Sequence, residues 1–142
     1  MVAPPPAPGR LRPATAGDRQ LLVGWFGGYR NDTSGGTGDV AEVVGRRLAD
    51  GELWLWDHDG PATMVGLSQP QAGVVRLAPV YTPIHRRGRG YASSCVAAAS
   101  GRVLAAGLRC ILYTDLANPT SNAIYRSLSY RAVSEGLRYR FA

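Results

Sequence analysis

Arg86, Arg87 and Arg89 form the one dense cationic cluster of this 142-residue chain, and Gly88 and Gly90 are interleaved with them. The cluster lies between an apolar strand pattern, Val74 to Tyr81, and a helical pattern, Tyr91 to Ala106. A strand, a basic glycine-rich turn and a helix together suit a phosphate group. The first turn of a helix leaves backbone N–H groups unpaired, and the helix dipole favours negative charge there. Gly88 and Gly90 would let the backbone bend and approach an anion closely. The segment Arg87-Gly88-Arg89-Gly90-Tyr91-Ala92 lacks the Lys-Ser/Thr ending of a P-loop and the three glycines of a dinucleotide fingerprint. Taken alone, such a turn also reads as a plain surface loop.

The elements that must hold this turn follow from periodicity and punctuation. Arg10 to Ala14 reads as a short strand, and Thr15 with Asp18 resembles a capping box opening a helix through about Tyr29. Asn31 to Gly38 reads as a loop, and Asp39 to Ala49 as a second helix with Val40, Val43, Val44 and Leu48 on one side. Leu53 to Asp57 and Ala62 to Ser68 are apolar runs joined by His58-Asp59-Gly60, which predicts a β-hairpin. Trp54 and Trp56 share one face of that first strand by period two, Leu53 and Leu55 the other. The tryptophan face is suited either to the core or to the lining of a pocket.

After the strand Val74 to Tyr81, the helix Tyr91 to Ala106 carries Ala92, Cys95, Val96, Ala99 and Val103 on one face, small enough to pack closely on a sheet. Arg109 to Asp115 is a strand. Asn118-Pro119 starts a helix, with Asn as cap and Pro at the first helical position, and that helix carries Ala123, Ile124, Tyr125 and Leu128. Val133 to Phe141 is expected to close the chain as a final strand, with Gly136 as a point of interruption. The order is βααβββαβαβ in one α/β domain over residues 10–142, preceded by a flexible Pro-rich leader over residues 1–9.

Composition limits the function classes. The 16 basic residues are all Arg and outnumber 10 acidic ones, a net charge of +6 that fits nucleic acid or a polyanionic cofactor. Basic runs with interleaved aromatics are missing, which argues against the nucleic acid. Abundant Ala, Gly, Pro and Arg resemble the coding bias of a GC-rich bacterial genome. Cys95 and Cys110 lie in apolar surroundings without metal-ligand spacing and read as buried free thiols of a reducing cytoplasm, so no metal site is expected. The amino terminus lacks the basic and apolar regions of a signal peptide, and no apolar run approaches the ~20 residues that span a bilayer.

Two segments carry a family resemblance. Leu77-Ala-Pro-Val-Tyr-Thr-Pro-Ile-His-Arg-Arg-Gly-Arg-Gly-Tyr-Ala92 resembles the fourth strand and the R/Q-x-x-G-x-G/A acetyl-CoA signature of the GCN5-related N-acetyltransferases, the GNAT family. Leu112 to Tyr130, with Asn118-Pro119 and Tyr125, resembles that family's fifth strand and the following helix. The resemblance covers about Leu77 to Tyr130, with Ser129 standing where a Gly is common.

The resemblance implies a GNAT fold: a mixed, mostly antiparallel sheet splayed between strands 4 and 5 and flanked by about four helices. It implies that backbone groups of Val80, Tyr81 and Thr82 hold the pantetheine arm of acetyl-CoA, and that the amides of Arg87, Gly88, Arg89, Gly90, Tyr91 and Ala92 hold its pyrophosphate. Asn118 and Asn122 match positions that contact the cofactor, and for Asn118 capping alone is a sufficient role. Tyr125 matches the usual general acid, which protonates the departing thiolate; a phenol of pKa about 10 keeps its proton at neutral pH until a more basic group takes it. The alternative for Tyr125 is a packed aromatic. No carboxylate lies on the fourth strand, which offers Arg76, and His85 falls beside the phosphates, so the acceptor's proton is expected to leave through water. The expected reaction is direct acetyl transfer to a primary amine of a small molecule or peptide, with a homodimer compatible. The rivals are a non-catalytic CoA-binding module and a basic nucleic-acid-binding domain.

Overall fold

The computed structural model describes residues 7–32, 38–113, 130–134 and 138–141. They form a seven-stranded sheet with strand order β1-β2-β3-β4-β5-β7-β6. The strands are β1 Arg10–Pro13, β2 Leu53–Asp57, β3 Pro61–Leu67, β4 Val74–Tyr81, β5 Arg109–Tyr113, β6 Tyr130–Ser134 and β7 Arg138–Phe141. Three α-helices lie among the described residues: α1 Arg19–Asp32, α2 Val40–Ala49 and α3 Tyr91–Ala105. Every neighbouring pair of strands is antiparallel except β4 and β5, which run parallel. This is the mixed sheet expected of the GNAT fold. The fourth helix expected from Asn118 falls outside the described residues.

Period-two alternation in β2 sorts the core into two layers. Leu53 and Leu55 point to one face, where with Met64 they meet Leu22 and Phe26 of α1 and Val44 of α2. Trp56 points to the other, where with Val65, Val75, Leu77 and Leu112 it meets Cys95, Val96, Ala99 and Val103 of α3. The tryptophans therefore serve packing: Trp56 is buried and donates its indole N–H to the Pro8 carbonyl at 3.0 Å, and Trp54 lies under the Arg102 guanidinium at 4.5 Å. Alanine and cysteine at the contact let α3 approach the sheet closely. Ala7 to Gly9, in the leader by sequence, pack here too, the Ala7 amide donating to the Ser94 hydroxyl at 2.7 Å.

Three boundaries differ from the sequence expectation. Helix α1 runs on to Asp32, into the segment expected as a loop from Asn31. Thr15 and Asp18 enclose a 3-10 turn, Ala16–Asp18, and the α-helix begins at Arg19. The expected final strand Val133 to Phe141 is two antiparallel strands, β6 and β7, with Arg138 and Phe141 opposite Ser134 and Tyr130. The sequence expectation allowed for an interruption at Gly136 but kept one strand; the antiparallel pairing of β6 with β7 makes it two.

Arg12 links three elements. Its guanidinium grips both Asp18 oxygens, at 2.9 and 3.1 Å, and Nε reaches Asp57 at 2.9 Å, tying β1 to the end of β2 and to the entry of α1. Those bonds from Arg12, aided by the Thr15 amide, outweigh the desolvation of Asp18 and hold its carboxyl down at about 2 against an ordinary 3.8. A depressed carboxyl contributes stability above its unfolded pKa and loses it as pH falls through the folded one. Asp18→Asn is therefore expected to cost about 1–3 kcal/mol at neutral pH, with the gap to the parent closing as pH falls from about 4 to 2. Calorimetric melting at both ends of that range checks this, and a gap that stays constant contradicts it.

Candidate active site

The pairing of β4 with β5 runs from Val74↔Arg109 to Leu77↔Leu112, while β4 continues to Tyr81. Among the described residues, Ala78 to Tyr81 thus have no partner on the β5 side, and the sheet opens there. On its other side β4 stays paired with β3, but irregularly. Val65 faces Val80 and Leu67 faces Leu77, so the single residue Gly66 stands opposite both Ala78 and Pro79. That is a β-bulge on β4, in a segment whose Ala78–Pro79 peptide is cis.

The extra residue turns the Ala78 carbonyl over the bare Cα of Gly66, where any Cβ would strike it. Arg47 of α2 closes the arrangement, donating from Nη1 to that carbonyl at 2.8 Å and from Nε to Glu52 at 2.7 Å. Neither Gly66 nor Arg47 stands out by chemistry in the sequence. Pro79 within a strand and Gly66 within its neighbour are the signals from which the bulge can be read.

Beyond Tyr81 the chain passes through a 3-10 turn, Ile84–Arg86, into Arg87 to Gly90 and then α3. Gly88 and Gly90 both have positive φ, +79° and +81°, a region that favours glycine. Among the described residues, a Cβ on Gly88 would meet nothing within 4 Å, and one on Gly90 only Ala7 at 3.9 Å. The backbone of the turn is therefore left uncovered by the described residues. No side chain caps α3, and no acidic residue occupies its first turn. In α2 the same position is filled, with Asp39 accepting from the Ala41 and Glu42 amides at 2.8 and 3.4 Å and Glu42 adding charge. Among the described residues the positive end of α3 has no counter-charge from its own cap or first turn, next to the uncovered end of β4.

The three arginines divide their labour. Arg86 donates to the carbonyls of His58 and Asp59 at 3.0 and 2.9 Å, and its guanidinium lies 5.7 Å from the Tyr91 ring centre. It holds the tip of the β2–β3 hairpin against the turn through neutral carbonyls, so its charge stays beside the turn. Arg87 donates from Nε to the Thr82 carbonyl at 2.7 Å and lies over the Tyr81 ring, bracing the end of β4. Arg89 is exposed and makes no side-chain bond among the described residues.

Tyr91 is buried, with its hydroxyl 2.8 Å from Nδ1 of His58, so only its main chain borders the turn. The role of His58, a hairpin residue by sequence, is thus to seat the first residue of α3. Tyr81 tilts against Trp25 at 6.1 Å, its hydroxyl touching Gly28 of α1, and Thr82 shares a 2.8 Å bond with Thr63. Val80 is half-buried against the α3-side core, and Ala92 is partly exposed in the first turn of α3. His85 is exposed beside the turn. Asn118, Asn122 and Tyr125 lie outside the described residues. Both cysteines are free and buried, and burial pushes the Cys95 thiol up.

A sheet opened beside a parallel strand pair, with an uncapped helix start at its mouth, is the frame of an N-acetyltransferase of the GNAT class. A family model described as "FR47-like protein" matches residues 62–139, more than half of the chain, and the chain belongs to that GNAT-type family. Solved structures agree in fold. A GNAT family acetyltransferase from Brucella melitensis in complex with acetyl-CoA is 17% identical, with a TM-score of 0.70 over 94% of this chain and 88% of that one. An N-acetyltransferase from Staphylococcus aureus Mu50 is 12% identical, with a TM-score of 0.77 over 93% and 96%. A ribosomal-protein-alanine N-acetyltransferase from Brucella melitensis is 16% identical, with a TM-score of 0.71 over 92% and 96%. Comparison with curated proteins gives no match.

Proposed function

We propose that this protein transfers an acetyl group from acetyl-CoA to a primary amine by direct attack. The observation that carries the reading is the uncapped start of α3, facing open space beside the unpaired end of β4. The residues present fit the cosubstrate. The amides around Gly88 to Ala92 supply donors to its pyrophosphate at the positive end of a helix, and peptide groups of Val80 to Thr82 flank the gap where its pantetheine arm would lie. Acetyl-CoA, when bound, supplies the activated acetyl group.

The protein's part is to bind and orient, since holding amine and thioester together removes much of the entropic barrier. Burial of Cys95 and Cys110 speaks for direct attack, because neither thiol is exposed as a nucleophile. Arg76 is the one charged residue of β4, so the acceptor's proton leaves through water rather than to a carboxylate on that strand. Tyr125 is the general acid in this reading, with Asn118 and Asn122 as cofactor contacts, on the strength of the family pattern around Asn118-Pro119. The acceptor is a small-molecule or peptide amine, and the compartment is the cytoplasm. No helix of the described residues is long and apolar enough to cross a membrane.

One observation favours a second reading, a module that binds CoA without turnover: β4 carries no carboxylate. Free-thiol release from acetyl-CoA over a panel of amines separates the two. Removal of the Tyr125 hydroxyl then tests the mechanism. Tyr125→Phe is expected to lower kcat by about 10²-fold to 10⁴-fold with little change in acetyl-CoA affinity. A folded Tyr125→Phe protein that works at the parent's rate removes Tyr125 from the mechanism.

Gly90→Val tests the binding site. A β-branched residue at φ +81° costs about 1–3 kcal/mol of strain, which a stable domain survives, and its side chain would stand in the open space in front of the turn. Acetyl-CoA affinity should fall at least about tenfold, or roughly 1.4 kcal/mol, by titration calorimetry. A folded Gly90→Val that binds as tightly as the parent would overturn the cofactor assignment.

A further inference from the structure

We propose that Arg47 is a positioning residue for the pantetheine-facing edge of β4, acting through the Ala78 carbonyl. The inference rests on the reading of β4 as a wall of the acetyl-CoA cleft. It starts from the alternation of a strand, in which successive peptide groups point to opposite sides. One inserted residue therefore exchanges the peptide groups that face one neighbour with those that face the other. The bulge at Ala78-Pro79 makes that exchange just where β4 leaves β5, and so sets which N–H and C=O groups of Val80 and Tyr81 are offered to the gap.

A bulge takes backbone groups out of the ladder, and each must find another partner. Pro79 has no N–H to lose. The Ala78 carbonyl does need a donor, and Arg47 Nη1 supplies it at 2.8 Å across 31 residues of sequence. The donor is itself fixed. Arg47 Nε meets Glu52 at 2.7 Å, with the two side chains 16% and 13% exposed, and the second Glu52 oxygen takes the Gln69 amide at 3.3 Å. The Glu52 amide bonds back to the Arg47 carbonyl at 3.0 Å, and the Leu67 amide bonds to the Glu52 carbonyl at 2.7 Å. Gly66 completes the device, because a side chain there would displace both the carbonyl and the guanidinium.

An ion pair this far from water contributes little net stability of its own. What the arrangement specifies is one conformation of the strand edge. Without the guanidinium, the Ala78 carbonyl over Gly66 is left without its donor, and the edge beyond it loses its register. The pyrophosphate turn, at the far end of β4, is held by other bonds: those of Arg86 to the hairpin and of Arg87 to Thr82. Arg47 should therefore act on the pantetheine arm and not on the nucleotide.

The test is titration calorimetry of the full chain with two probes: acetyl-CoA, and 3′-phospho-ADP, which keeps the nucleotide and pyrophosphate and lacks the arm. Arg47→Met, similar in length and without donors, should weaken acetyl-CoA roughly tenfold or more while 3′-phospho-ADP stays within about twofold. Arg47→Lys keeps a cation beside Glu52 and one donor, and should fall between Met and the parent for acetyl-CoA alone. If Arg47→Met does not fold, the Lys variant decides by the same contrast. Equal weakening of both probes would mean general loosening, and no weakening of either would mean no role; each overturns the inference while leaving the acetyl-CoA reading intact. A parent that binds neither probe removes that reading, and this inference with it.

Discussion

The parallel pairing of β4 with β5 is the constraint on which the rest of the molecule depends. Parallel neighbours cannot be joined by a tight turn, and the chain must return to the starting end of the sheet through a crossover. Here the crossover is α3, so its first turn necessarily lies at the end of β4. Among the described residues the pairing runs only to Leu77↔Leu112 while β4 runs on to Tyr81, and the positive end of a helix is thereby placed beside the part of β4 that β5 leaves uncovered. Binding potential arises where, among the described residues, the hydrogen-bonding needs of strand edge and helix start are left unmet together. The small residues of α3 serve the same end, because Cys95 and Ala99 bring the helix close enough to the sheet for its start to border that edge.

Much of the remaining polar structure holds this junction in place. Arg86 and Arg87 sit in the basic turn, yet their bonds run to carbonyls of the hairpin tip and of Thr82. His58 fixes the Tyr91 hydroxyl, and Tyr91 is the first residue of α3. The turn is thus anchored to the end of β4, to the β2–β3 hairpin and to the helix, while its glycines remain open. Arg12 does comparable work at the other edge of the sheet, where Asp18 and Asp57 meet. The two cationic anchors differ in one respect: Arg12 is answered by two carboxylates, and Arg86 by neutral carbonyls, so the mouth keeps its positive charge.

The parts of this arrangement legible in sequence were those carried by local periodicity or by a compact motif. The strand pattern from Leu53 to Tyr81, the small-residue face of α3 and the glycine-rich turn are all of this kind, and the motif led to the family. The closing strand was legible only in part: Gly136 marks an interruption, but local composition does not say that the segment after it pairs back on the one before, as β7 does on β6. Arg47 was not legible as part of the site: its partner lies 31 residues away, and a surface-type residue at the end of an amphipathic helix carries no mark of a strand carbonyl. His58 and Tyr91, 33 residues apart, are a second case. Pro79 and Gly66 did advertise the bulge, since both residue types weaken a strand interior, but what the bulge is for depends on β5, which only the fold brings alongside.

The central claim is that the β4 end and the start of α3 form one acetyl-CoA site, and amide-resolved NMR of the full chain titrated with acetyl-CoA at constant ionic strength tests it most directly. The account predicts that the amides of Tyr81, Thr82 and Gly88 to Ala92 shift and saturate together, with one affinity, while those of α2 and the Arg12 cluster stay still. Saturable shifts confined to the α1–α2 face, or none at the turn when acetyl-CoA is in large excess, would contradict it.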